Sequence, residues 1–158
     1  MSDPIRRLEH DHVPLRQLTD ELRARLDEAL AAPVPAALQR PFADVLGELR
    51  EELLTHFANE EEGLFPVLLG ALPTLAPRVD ELQRSHDSLC GLAARLTHLV
   101  QPGAHAFAEH LSQVEALVHR LESEYERHSD AERAVLREAD RALSPTQKED
   151  LARALEGL

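Results

Sequence analysis

Four long segments of this chain place an apolar residue at every third or fourth position, which is the period of one face of an α-helix. They span about residues 3–30 (helix A), 41–70 (helix B), 77–100 (helix C) and 104–143 (helix D). Leu, Ala, Glu and Arg dominate, and these residues favour helices. No segment shows the alternation typical of a strand. The pattern predicts an all-α protein.

The connections between these segments are short and rich in proline or glycine, as at Ala32-Pro33-Val34-Pro35 and Gln101-Pro102-Gly103. Short connections join antiparallel neighbours, so we expect an up-down-up-down four-helix bundle. Helix A is predicted to begin with Asp3 as N-cap and Pro4 in the first turn.

Prolines inside helices A and B predict local irregularity. Pro14 removes a backbone hydrogen bond and predicts a kink or restart beside His12, and Pro66 predicts a bend late in helix B. A capping box at Ser144-Pro145-Thr146-Gln147 predicts a short fifth helix. We therefore expect the bundle to occupy residues 1–143 and a packed C-terminal helix to occupy residues 144–158.

Each apolar stripe is interrupted by polar side chains at one position along the bundle axis, which is called the polar level here. Helices A and C each place one histidine there, and helices B and D each place a histidine followed four residues later by a glutamate. Residues four apart share a helix face, so each of these pairs projects together. The repeat also suggests a duplicated helical hairpin. The predicted cluster is His12, His56, Glu60, His86, His128 and Glu132.

Two glutamates in an apolar interior need a counter-charge, because an isolated buried carboxylate is costly. No lysine or arginine lies at this level of the stripes. Divalent cations supply the charge, and imidazole nitrogen with carboxylate oxygen suits iron, manganese or zinc. Taken singly, each histidine also fits an ordinary hydrogen-bonded core position. The coincidence across four helices favours a metal site.

The sequence resembles the haemerythrin-like HHE cation-binding family. The resemblance covers about residues 5–143 and rests on Glu9-His10-Asp11-His12, on Ser85-His86-Asp87 and on His128-Ser129-Asp130-Ala131-Glu132. The most specific match is His56-Phe57-Ala58-Asn59-Glu60-Glu61-Glu62-Gly63-Leu64-Phe65-Pro66. The resemblance implies two non-haem iron ions, Fe2+ or Fe3+, with a bridging oxo or hydroxo group. It implies four histidines as terminal ligands and the two glutamates as bridges.

The sequence also departs from the family pattern. Oxygen-carrying haemerythrins have a histidine where this chain has Cys90, so reversible oxygen transport is less favoured. Cys90 is either a thiol near the metals or a small core residue, and His10 is a possible alternate ligand. Tyr125 lies one turn before His128 and is either a hydrogen-bond donor to the site or a core aromatic residue.

The remaining polar candidates are not expected to bind the metals, although Glu61 and Glu62 lie beside the helix face of the site. Glu61 and Glu62 are expected to be solvated. The other histidines are expected at or near the surface; they are His98, His105, His110 and His119.

Two kinds of activity remain open for such a site. The protein binds or responds to O2, NO, peroxide or iron level, or it is a di-iron enzyme acting on peroxide or ferrous iron. The first is preferred, because the sequence offers few proton donors for catalysis. A metal-free helical interaction module is the third possibility. A bis-histidine haem bundle would leave both glutamates unexplained.

Composition limits the partners. The chain has 17 Lys and Arg against 29 Asp and Glu, for a net charge of −12. Such a charge disfavours nucleic acid and membrane surfaces as partners. The single cysteine excludes an internal disulfide and fits a cytoplasmic location. The N-terminal stretch does not have the apolar centre of a signal peptide. The oligomeric state is not predicted.

Overall fold

The computed structural model describes residues 12–156. In that range the chain is helical and contains no strand, as the sequence predicts. The predicted helix start at Asp3 and Pro4, and the candidate ligand His10, lie outside the described residues. No helix within this range combines the length and apolar character needed to cross a bilayer.

The described chain runs through seven α-helices and three short non-α turns. The α-helices are α1 (Val13–Ala31), α2 (Gln39–Asn59), α3 (Phe65–Ala71), α4 (Ala76–Val100), α5 (Ala104–Glu109), α6 (Leu111–Ala142) and α7 (Pro145–Glu156). Short 3-10 turns at Pro35–Leu38 and Pro73–Leu75 precede α2 and α4, and a π-helical turn covers Glu60–Leu64.

The four longest helices enclose a common core. Helix α1 packs against α2 and α6, and α4 packs against the same two helices. The buried residues on their inward faces are those of the predicted stripes, such as Leu22, Leu49, Leu89 and Val118. The amphipathic pattern therefore places each helix with one face inward, as expected for a haemerythrin-like helical bundle.

Helix α1 begins at Val13, with His12 as its N-cap and Pro14 in its first turn. The helix thus begins where the sequence predicts a kink or restart. Proline is tolerated in a first turn because the backbone N–H there has no helical acceptor. His12 is consequently fixed at the beginning of a regular helix.

Helix B differs from the single segment predicted over 41–70. Its α-helical part ends at Asn59, and the Phe65 N–H donates to the Glu60 carbonyl, five residues earlier. This wider turn immediately precedes Pro66, which lies in the first turn of α3. A proline ring in an α-helix clashes with the carbonyl four residues before it, and the wide turn ends the regular helix before that clash arises.

Helix D is also interrupted, and the single segment predicted over 104–143 is wrong at His110. The backbone leaves α-helical geometry there (φ −102°, ψ 16°), which separates α5 from α6. Helix α5 packs against α2, α4 and the Pro35–Leu38 turn. Its Phe107 is fully buried, with its ring 5.3 Å from that of Phe42. The break lets α5 cover this end of the core.

The C-terminal helix α7 begins with the predicted capping box. The Ser144 N–H donates to Gln147 Oε1 over 2.9 Å, and the Gln147 N–H donates to Ser144 Oγ over 3.2 Å. Leu151 on α7 is buried, and the helix contacts α3 and the π-helical turn. Helix α7 thus covers the end of the bundle next to the polar level.

Candidate metal centre

The structure brings all six predicted ligand residues together between α1, α2, α4 and α6. They form two groups that share Glu60. In each group the candidate ligand atoms lie within 4.8 Å of one another. The first group is His12, His56, Glu60 and Glu132, and the second is Glu60, His86 and His128. Their ligation of a metal remains a prediction.

Glu60 lies at the centre of the cluster. Its Oε1 is 2.8 Å from His56 Nε2 and its Oε2 is 3.0 Å from His86 Nε2. His12 Nε2 is 3.8 Å from Glu60 Oε1. The two oxygens of one carboxylate therefore face histidines of different groups, which is the arrangement that a bridging carboxylate requires.

Glu132 occupies the corresponding position on α6. Its Oε2 is 2.8 Å from His12 Nε2 and 3.4 Å from His128 Nε2. Glu132 also contacts one histidine of each group. Both glutamates are almost completely buried, at 4% and 1% exposed, so their charges are shielded from water.

The cluster faces inward with unsatisfied polar atoms. The Nε2 atoms of all four histidines, with one oxygen of each glutamate, are buried and have no hydrogen-bond partner with acceptable geometry among the described residues. Buried polar groups are normally hydrogen-bonded. Six such atoms pointing at one another fit a cation between them, and the donor set suits a transition metal.

A hydrogen bond on the far side of His128 fixes which ring nitrogen faces the centre. The Ser85 hydroxyl donates to the Leu82 carbonyl over 2.7 Å, and its oxygen lies 2.5 Å from His128 Nδ1. A hydroxyl has only one proton to donate. Ser85 Oγ must therefore accept from His128 Nδ1–H, which leaves the Nε2 lone pair of the neutral ring for the metal side.

Glu61 does the same for His86. Its Oε1 lies 2.7 Å from His86 Nδ1, and a carboxylate accepts this proton. A carboxylate behind a ligand histidine orients the ring and raises its basicity. Glu61 belongs to neither group of candidate ligands, as expected, but its role goes beyond the solvated one that the sequence predicts. It is half-buried and holds His86, whereas Glu62 is exposed as predicted.

Aromatic rings shield the second group, which contains His86 and His128, from water. The ring of His86 stacks on that of Phe57 at 3.8 Å between centroids and on that of Phe65 at 5.8 Å. His86 and His128 are each only 2% exposed. A low-dielectric environment of this kind strengthens the interaction between carboxylates and any cation held there.

The pKa values show how strongly the cluster attracts positive charge. Burial lowers the pKa of His12, but the neighbouring carboxylates of Glu132 and Glu60 outweigh it and raise the pKa to about 10. Burial also opposes the charge of Glu60, yet His12, His56 and His86 hold its pKa well below the usual range. The pKa of His86 is raised, because Glu60 and Glu61 outweigh its burial.

The other candidate residues lie outside the two groups. Cys90 is half-buried on α4, packs against the core and belongs to neither group. Burial, with Asp87 and Glu61 nearby, raises the pKa of its thiol, which disfavours the thiolate form that binds metals. Tyr125 is buried and, with His12, lines a cavity beside the first group.

Sequence reasoning missed the roles of three residues at this site. In the sequence, Ser85 is simply the neighbour of His86. Nothing in its spacing indicates that it accepts a hydrogen bond from His128, which lies on another helix. The two arginines of the cavity, Arg16 and Arg133, lie one turn after His12 and next to Glu132. No common spacing marked them, because Arg16 lies four residues after His12 and Arg133 lies five residues after His128.

Comparison with known proteins gives one match. Neither the curated proteins nor the solved structures yield a match to this chain. Residues 3–139 match the Hemerythrin HHE cation binding domain. The match includes α1, α2, α4, most of α6 and every residue of the cluster. The chain therefore belongs to the haemerythrin HHE cation-binding family.

Proposed function

We propose that this protein holds two iron ions between four long helices arranged up-down-up-down, and that it binds or responds to O2, NO, peroxide or iron level. One observation carries the proposal: four buried imidazole Nε2 atoms converge without hydrogen-bond partners on two buried carboxylates. The cytoplasm remains the predicted location.

The division into two overlapping groups supports a pair of cations. His12 and His56 would hold one ion and His86 and His128 the other, with Glu60 and Glu132 between them. A bound iron pair supplies reversible electron exchange and open positions for a small ligand. Manganese or zinc fits the same donors.

The surrounding residues prepare the histidines for this role. Ser85 and Glu61 keep protons on the Nδ1 atoms of His128 and His86. Phe57 stacks on His86 and excludes water from that side. The ligand atoms are therefore oriented before a cation arrives, which reduces the cost of binding it.

Elemental analysis of protein expressed with iron tests the proposal. The natural chain is expected to carry about two metal ions, as in other two-metal sites. Glu60→Gln and Glu132→Gln each remove a bridging charge and should leave less than half of that metal. Glu62→Gln, which removes an exposed charge of the same helix region, is the matched control and should retain all of it.

Electron paramagnetic resonance distinguishes a bridged pair of ferric ions from isolated ferric ions. Two bridged ferric ions couple and give no signal, whereas single ferric ions give one. Full metal content in both glutamine variants would contradict the bridging assignment. A natural chain that binds no metal would instead favour the helical interaction module.

An enzyme acting on peroxide or ferrous iron is the second candidate. The observation that favours it is Tyr125, whose buried hydroxyl has no well-formed hydrogen bond within residues 12–156 and lines the same cavity as His12. A protonated donor at this place suits a reaction that consumes a proton. Steady-state peroxide consumption above that of free iron, lost in Tyr125→Phe, would support this candidate.

A further inference from the structure

A cavity of about 140 Å³ lies between α1 and α6, next to the first group of the cluster. Its polar lining consists of His12, Arg16, Tyr125, Ser129 and Arg133. The volume is enough for roughly five water molecules at the liquid value of about 30 Å³ each. It therefore suits a molecule of three or four heavy atoms.

Two hydroxyl groups in this cavity make no well-formed hydrogen bond within the described part of the chain. Tyr125 and Ser129 are 6% and 7% exposed, and neither Tyr125 OH nor Ser129 Oγ has a hydrogen-bond partner with acceptable geometry among residues 12–156, although Ser129 lies near enough to Tyr125 to lower the pKa of its hydroxyl against the effect of burial. A buried hydroxyl without a partner costs free energy. A ligand that accepts hydrogen bonds would satisfy both groups.

Two guanidinium groups give the cavity a positive charge. Arg16 and Arg133 both line it, although the chain as a whole has a net charge of −12. Arg133 contacts Asp130 at 3.2 Å through one nitrogen, so its other N–H donors remain for a second acceptor. Guanidinium groups match the geometry of carboxylates and other planar oxyanions.

We propose that this cavity binds a small planar oxyanion of the carboxylate class beside the metal pair. Arg16 and Arg133 would neutralise the ligand, and Tyr125 and Ser129 would donate hydrogen bonds to it. The inference deepens the proposed function and rests on it, because cations in the cluster offset the negative charge of Glu60 and Glu132 that otherwise repels an anion.

Formate is the probe, because it is the smallest carboxylate and neither absorbs nor emits light at the wavelengths used for tyrosine. A change in emission then reports binding. Tyr125 is the only tyrosine and the chain has no tryptophan, so its emission reports on this cavity alone. We expect sodium formate to change the emission of zinc-loaded protein in a saturable way. Formamide, which has the same size and no charge, and sodium chloride at equal ionic strength should not.

Variants of the two arginines test the site itself. Arg16→Gln and Arg133→Gln should each weaken formate binding about tenfold, since each removes a charged hydrogen-bond donor. The matched control is Arg137→Gln, which removes an exposed charge from the same helix outside the cavity and should bind formate like the natural chain. In Tyr125→Phe, broadening of the ¹³C-formate resonance replaces fluorescence as the readout, and weaker binding is expected.

Metal content is measured in every sample before formate is added. If the chain binds no metal, the proposed function fails. If metal is bound but formate leaves the emission unchanged, or formamide acts equally, or Arg137→Gln weakens binding as much as Arg133→Gln, the oxyanion site is refuted while the metal centre stands.

Discussion

At the scale of single residues, the site depends on which nitrogen of each histidine carries the proton. Ser85 and Glu61 decide this for His128 and His86, and neither residue touches the centre of the cluster. Sequence analysis found the six converging side chains because they interrupt apolar stripes. It could not find Ser85, because a hydrogen bond between helices depends on their register, which spacing within one helix does not show.

Removing these hydrogen bonds should weaken metal binding. Ser85→Ala and Glu61→Gln are each expected to lower the affinity about 10- to 100-fold, as for other partners of ligand histidines. Competition with a chromophoric chelator measures the change. Ser88→Ala on the same helix, whose hydroxyl instead donates to Glu124, is the control. Unchanged affinity in both variants would show that the histidines do not need these partners.

Tyr125 gives a pH-dependent prediction. Burial raises its pKa from 10.0 to about 12. The neutral form is therefore favoured in the folded protein, and the stability that this provides is complete below pH 10 and lost as the pH rises towards 12. Ultraviolet titration of this sole tyrosine should show phenolate only near pH 12 in folded protein. Ionisation near pH 10 before unfolding would contradict its burial.

At the scale of elements, apolar periodicity predicts the helices but not their interruptions. The stripes of helices B and D continue through the π-helical turn at Glu60–Leu64 and through the break at His110. A single extra residue in a turn hardly changes the pattern of a long stripe. The two features have different causes: the ring of Pro66 ends one regular helix, as its position in the sequence indicated, and the burial of Phe107 against Phe42 redirects the other.

Truncating Phe107 tests this explanation of the break. Phe107→Ala should lower the free energy of unfolding by about 3–5 kcal/mol, the usual cost for a buried phenylalanine. Urea denaturation measures it, with Leu54→Ala at an exposed leucine of α2 as control. Metal content should not change, because Phe107 is not part of the cluster. A cost below about 1 kcal/mol would show that α5 does not depend on this contact.

At the scale of the whole molecule, the polar level divides the core. One apolar cluster includes Leu22, Leu49 and Phe107, and a second includes Leu68, Val79 and Leu136. The histidines and glutamates lie between them, within the long helices or directly at their ends. A cation at this level therefore joins the four helices where apolar packing is interrupted, so metal binding and stability should be coupled.

Removing the metal should destabilise the protein. At a free metal concentration 1,000 times the dissociation constant, binding adds about 4 kcal/mol to the free energy of unfolding. Thermal unfolding should therefore occur at a clearly lower temperature after treatment with a chelator and return when metal is restored. In Glu132→Gln the chelator should have much less effect. Equal melting temperatures with and without metal in the natural chain would contradict the coupling.

Anomalous diffraction at the iron edge, from crystals of iron-loaded protein, tests the central claim most directly. The proposed iron pair should give two peaks about 3.5–4 Å apart, as in other two-metal sites, with Glu60 and Glu132 between them and two histidines beside each peak. A single peak, or peaks only at surface groups such as the exposed pair His105 and Glu109, would contradict it.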